Sequence, residues 1–133
     1  VLEVKLKYLD NYIEARRKVA DYYDAAFKNI RQIIAPVRSS KSRHVFHQYT
    51  LILEGIDRNA LHDYLAAHNI PSMIYYPVPA HRQQMFGAYH SSEAHLPVTD
   101  WLTERVISLP IHTEMDEEQL HFITSKISEF VTH

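Results

Sequence analysis

The stretch from Leu2 to Phe27 constrains this chain more than any other. Leu2, Leu6, Leu9, Ile13, Arg16, Ala20, Tyr23 and Phe27 recur at spacings of four and three, which stacks them on one face of an α-helix. Val1, Val4, Tyr8, Tyr12, Val19 and Tyr22 add a flanking apolar stripe. Two stripes make a broader adhesive surface than a helix at the edge of a small domain needs. The pattern predicts a helix running to about Asn29–Ile34, where Pro36 stops it. No initiator Met and no capping residue precedes Val1, so the chain reads as a piece cut from a longer protein, a natural boundary being the alternative.

Glycine scarcity removes whole classes of function. Gly55 and Gly87 are the only two, and they stand far apart. A phosphate loop needs several together, because only glycine lets the backbone approach a phosphate closely, so neither a dinucleotide fingerprint nor a P-loop can form. The absence of cysteine excludes disulfides, zinc knuckles, iron–sulfur clusters and thiol nucleophiles. The 133 residues, 46% hydrophobic and 23% charged, suit one domain with a real core. A net charge of −2 provides no general field for nucleic acid or acidic lipid. No apolar run approaches the roughly 18 residues of a membrane span, and no signal peptide opens the chain. No nucleic-acid or membrane partner is expected.

Beyond the first helix, Arg38-Ser-Ser-Lys-Ser-Arg43 reads as a solvated basic loop, although its cations and hydroxyls could hold a phosphate. His44–Glu54 alternates as a strand, with Val45, His47, Tyr49, Leu51 and Leu53 on one face and Phe46, Gln48, Thr50 and Ile52 on the other. Asp57 is an N-cap for a helix carrying Leu61, Tyr64 and Leu65, which Asn69 closes in a left-handed conformation. A short strand is expected at Ser72–Tyr76 and helical turns over 81–89, then a loop at His90–Val98. Thr99 or Asp100 would cap a helix from Trp101 to Val106, and Ile107–Pro110 would form a last strand. Asp116-Glu-Glu-Gln119 is a capping box that opens a helix burying Leu120, Ile123, Ile127 and Phe130. The order of elements implies an α/β fold: one small three-stranded sheet covered by helices, with a long N-terminal helix.

Few constellations carry chemistry. His44-x-x-His47 has a ligand-like spacing, but a strand points the two rings to opposite faces, and no His-Glu-x-x-His occurs. No serine lies in a nucleophile-elbow context. Glu117-Glu118 sits at a helix start, where the dipole accounts for it. Tyr75-Tyr76-Pro77-Val78-Pro79-Ala80-His81-Arg82-Gln83 is different. Two prolines stiffen a turn that delivers phenols, an imidazole and a guanidinium to the end of a strand, where ligands bind in α/β proteins. Such groups suit hydroxyl and phosphate contacts. A turn with surface polar residues and a half-buried Tyr is the competing reading.

These segments together resemble the DegT/DnrJ/EryC1/StrS family of pyridoxal-phosphate-dependent nucleotide-sugar aminotransferases, of fold type I. Val1–Asp10 and Arg16–Tyr23 are similar to the long helix that follows the family's cofactor domain, and His44-Val-Phe-His47-Gln-Tyr49 to its first small-domain strand. Ile74–Gln83 matches its Tyr-Pro-x-Pro-x-His-x-Gln turn, the most specific element. Leu96-Pro97, Ser108-Leu-Pro110 and Met115–Gln119 follow in the family's order.

The resemblance implies that residues 1–133 are a single C-terminal small domain, a fragment lacking the cofactor-binding large domain. The family's Schiff-base lysine lies in that large domain, and Lys5, Lys7, Lys18, Lys28, Lys41 and Lys126 match none of its motif. Pyridoxal phosphate would then belong to the full-length parent, bound covalently by no residue of this chain, which would be catalytically incompetent alone. The implied partners are a nucleotide-linked keto-sugar, glutamate as amino donor, the chain's own large domain and a second copy in a homodimer with active sites at the subunit interface. Its products would feed surface-polysaccharide or glycoside pathways. His81, Tyr76 and Gln83 are the implied sugar-binding residues. His47, which a half-buried strand position would equally explain, and Arg82, which could reach a diphosphate or simply face solvent, follow them. A stand-alone sugar-nucleotide binding module and a non-catalytic pyridoxal-phosphate sensor are the alternatives.

Overall fold

A computed structural model describes residues 2–89 and 94–132. Val1 of the apolar stripe and the first part of the loop expected at His90–Val98 lie outside the described residues. The elements run α1 (Leu2–Leu6), α2 (Leu9–Phe27), β1 (Ile33–Ile34), β2 (Tyr49–Leu53), α3 (Arg58–Ala67), two 3₁₀ turns (Ala80–Arg82 and Gln84–Tyr89), α4 (Pro97–Thr103), β3 (Val106–Leu109) and α5 (Glu117–Thr132). The strands form one antiparallel sheet in the order β1-β2-β3, pairing Ile33 with Leu53, and Tyr49 with Leu109.

The class of fold is the expected one, with corrections to its parts. The first helix is broken at Lys7–Tyr8 and ends at Phe27, not near Ile34. Ile33 and Ile34 instead pair with Leu53 and Ile52. β-branched residues suit either period locally, and here the available sheet edge decides. At the opposite edge, the strand expected over Ser72–Tyr76 is reduced to a single bridge, Met73 with Ser108. The sheet therefore has three strands, but β1 replaces the one expected there.

Alternation along β2 buries Tyr49, Leu51 and Leu53 on one face, against α2, α3 and α5. Ile107 and Leu109 of β3 extend the same face. Val19, Ala20, Tyr23 and Phe27 of α2 join Leu61 and Leu65 of α3 and Ile123 and Ile127 of α5 in this core. Each buried Val, Leu, Ile or Phe side chain among them contributes about 1.5–3 kcal/mol on leaving water. Both expected caps form. Asp57 Oδ1 accepts from the amides of Asn59 and Ala60 at 2.9 and 3.0 Å, and Asn69 closes α3 with φ of 58°. Asp116 and Gln119 exchange side-chain-to-amide bonds of 2.8 and 3.3 Å at the start of α5. α4, in contrast, starts earlier than expected, with Pro97 at its first position and Thr99 and Asp100 inside its first turn. Proline needs no amide partner there and so sets the boundary.

The basic loop is exposed over residues 39–43, as expected of a solvated connection, but its arginines are paired. Arg38 binds Asp24 at 2.5 Å and Asp21 at 2.6 Å, with its guanidinium 4.8 Å from the Phe46 ring centre. Arg43 pairs with Glu14, and Arg17 donates to the His44 carbonyl at 3.0 Å. The loop is thus strapped along α2. Phe46, at φ of 47°, turns inward into the core and prevents β2 from starting before Tyr49. Burial raises the Tyr49 phenol well above its ordinary value, and its 2.6 Å bond to the Asp24 carboxylate adds to the shift. Burial raises Tyr23 likewise, where the hydroxyl donates to the Pro110 carbonyl at 2.9 Å. Among the described residues, no helix is long and apolar enough to cross a membrane.

Candidate functional site

The helices cover one face of the sheet and leave the other partly open. Thr50 and Ser108 face each other on that second face, their hydroxyls 2.8 Å apart, with Ile52 and Val106 beside them. The chain that follows Met73 runs past this face and enters the Tyr-Pro-Val-Pro segment. Pro77 and Pro79 restrict φ and supply no amide donor, so the segment closes into a 3₁₀ turn only at Ala80–Arg82, where the Arg82 amide bonds the Pro79 carbonyl at 2.9 Å. The Tyr75–Tyr76 peptide bond is cis.

Between this turn and α4 lies a cleft of about 420 Å³. Tyr75, Tyr76, Val78 and Gln83 line it from the turn, and Thr99, Leu102, Thr103 and Val106 line it from α4 and β3. Tyr76 is 70% exposed at the mouth. The Gln83 amide group makes a long 3.5 Å contact to the Val78 carbonyl, which leaves hydrogen-bonding capacity for another partner. Apolar walls with a few convergent polar groups are the usual make-up of a small-molecule site. A phenol and a carboxamide can each donate to and accept from a hydroxyl-bearing ligand.

The expected residues are divided by the fold. Tyr76 and Gln83 meet in the cleft. His47 lines a neighbouring cavity of about 220 Å³ together with Gln48, Met73 and Ser108, and Tyr75 forms part of both walls. The segment around His47 is not strand, so the argument that a strand separates His44 from His47 does not apply. Among the described residues, no group of three or more metal-ligating side chains comes together. His81 does not line the cleft. It is 8% exposed and turned towards α4, with Nε2 3.3 Å from Asp100 Oδ1. Arg82 stands at the surface and donates to Asp100 Oδ2 at 2.8 Å. Asp100, Thr99 and Thr103 were not singled out in the sequence as site residues. An acid within the first turn of a helix fits the helix dipole, and that local account hides its second role.

The comparisons with known proteins agree with this architecture. S. venezuelae DesV, solved in complex with a ketimine intermediate, superposes with a TM-score of 0.92 at 26% identity, over 100% of this chain and 35% of that one. Such structural neighbours are fold type I aminotransferases. A family model for the DegT/DnrJ/EryC1/StrS aminotransferase family matches residues 1–128, and the chain belongs to that family. It is 37% identical to a UDP-N-acetyl-3-dehydro-alpha-D-glucosamine 3-aminotransferase of Acidithiobacillus ferrooxidans, over 96% of this chain and 33% of the relative. It is 34% identical to a pleiotropic regulatory protein of Geobacillus stearothermophilus, over 100% of this chain and 36% of the relative. The chain thus spans about a third of the length of the relatives it matches. The family is pyridoxal-phosphate-dependent, and its relatives include transaminases of nucleotide-linked sugars.

Proposed function

We propose that this chain is the C-terminal, substrate-positioning domain of a pyridoxal-phosphate-dependent aminotransferase that moves an amino group from glutamate to a nucleotide-linked keto-sugar. The cleft beneath the Tyr75–Gln83 turn carries the proposal. It lies in a segment that the sugar transaminases share, and it offers a phenol and a carboxamide beside apolar walls. Tyr76 and Gln83 hold hexose hydroxyls, His47 serves the adjoining cavity, and His81 and Arg82 act from the base and rim of the turn. Holding a keto carbon in register with an amine is worth several kcal/mol in such reactions, and this is the domain's share of the work.

The cleft itself offers no seat for the cofactor's aldehyde. That aldehyde needs an amine that readily gives up its proton, and no lysine lines the cleft. Lys126 is held in its charged form by Glu129 at 2.8 Å, which raises its pKa. That chemistry belongs to a large domain supplied by the rest of a cytoplasmic, homodimeric parent. The likeness to a pleiotropic regulatory protein favours a second reading, a non-catalytic sensor of the same family. A lysine in the family's motif upstream would decide for the enzyme.

The test uses the complete protein with glutamate and a UDP- or dTDP-linked keto-sugar. Tyr76→Ala and Gln83→Ala should each raise KM for the sugar by about tenfold, the scale of one lost hydrogen-bonding contact, while the half-reaction with glutamate stays intact. An unchanged sugar KM in both variants would remove the positioning role. Transamination by the 133-residue chain alone would remove the fragment reading.

A further inference from the structure

Three side chains below the cleft form a unit that the reading above leaves unexplained. Asp100 sits in the first turn of α4, and its two carboxylate oxygens address successive residues of the proline-stiffened turn. Oδ1 faces His81 Nε2 at 3.3 Å, and Oδ2 accepts from the Arg82 guanidinium at 2.8 Å. His81 Nε2 and Asp100 Oδ1 are both sealed from solvent, and neither has a hydrogen-bond partner among the described residues, so the two orphaned atoms face each other. A buried donor or acceptor without a partner is costly, so the proton arrangement at this contact is strongly constrained. With the proton on Nδ1, the Nε2 lone pair would point at a carboxylate oxygen and the two would repel. With the proton on Nε2, the N–H dipole and the carboxylate charge attract across the same 3.3 Å instead.

We propose that Asp100 is a positioning residue for this site: its carboxylate holds His81 in the Nε2–H tautomer and clamps Arg82, fixing the turn that presents Tyr76 and Gln83 to the cleft. In the neutral ring, this leaves Nδ1 as an acceptor only. The proposal rests on the sugar-facing reading of the cleft for its purpose. Its geometry is tested without any sugar, so the two can fail separately.

The experiment is long-range ¹H–¹⁵N correlation spectroscopy of the histidine rings in the full chain. His81 should show one tautomer, protonated at Nε2. Asp100→Ala should turn this into a mixture of tautomers and speed amide exchange across residues 80–83 by about tenfold or more, with the amides of α3 and α5 unmoved. Asp100→Glu, which retains the carboxylate, should restore the single tautomer at least in part. Should Asp100→Ala fail to fold, Asp100→Asn keeps the shape and should still shift the ring signals. A wild-type ring protonated at Nδ1, or a ring pattern unaltered in the Asp100 variants, overturns the assignment.

Discussion

Two regions of this molecule carry similar residues and use them in opposite ways. In the core, Tyr23, Phe27, Phe46 and Tyr49 are buried between the sheet and α2, with neighbouring ring centres 5.0–6.1 Å apart. Around the turn and α4, Tyr76, Met85, Tyr89, Val98 and Trp101 all reach solvent. Charge follows the same division. The core aromatics are bounded by Asp24, whose carboxylate is shared by Arg38 and the Tyr49 hydroxyl, while the turn is bounded by Asp100, which is shared by Arg82 and His81. One carboxylate fastens a loop onto a helix that is already packed. The other fastens a turn whose outer surface remains open. Aromatic content alone says nothing about stability; what each ring touches does.

The largest test of this contrast is truncation in the core. Phe27→Ala removes a ring that is 2% exposed, and should destabilise by about 3–5 kcal/mol in a urea titration. A cost below about 1 kcal/mol would mean that α2 is not seated as described.

Removing only the phenol comes next. Tyr49→Phe should cost about 1.5–3 kcal/mol, the range for a hydrogen bond to a charged partner. It also carries a pH signature. Because burial raises the Tyr49 and Tyr23 phenols, the folded state keeps protons that the unfolded chain loses near the ordinary tyrosine value of about 10. Stability should hold below that pH and fall above it, and the fall should be shallower in Tyr49→Phe. Equal slopes for the variant and the parent would break the link between burial and ionisation.

The smallest effect belongs to the open region. Tyr89 is 79% exposed, so Tyr89→Ala should change stability by no more than about 0.5 kcal/mol. A loss approaching that of Phe27→Ala would show that the open flank belongs to the core after all.

Which parts were legible in the sequence follows from the range of the interactions. The caps at Asp57 and Asp116 and the left-handed Asn69 depend on residues two to four apart, and all formed as read. The Tyr-Pro-x-Pro turn was legible for the same reason, since its prolines act on their own φ. β1 was hidden, because Ile33 and Ile34 acquire their role only through Leu53 and Ile52 across the sheet. The strap was hidden too: nothing near Arg38 announces that Asp21 and Asp24, on the preceding helix, will take it up. At the site, Tyr76 and Gln83 could be named from the turn, but Asp100 lies outside it and carried a sufficient local explanation as a residue of a helix start.

Local chemistry therefore determined where most helices lie, the caps at Asp57, Asn69 and Asp116, the stiff turn and the family to which the chain belongs, because each is written in residues close along the chain. The end of α2 and the start of α4 were not legible in this way. The tertiary structure alone decided which of the named side chains meet. It brought Tyr76 and Gln83 to one cleft, set His47 in the next, and turned His81 inward onto Asp100. The reason is geometric: the direction of a side chain at the end of a turn is set by what packs beneath it, and here that is a helix from a later part of the chain.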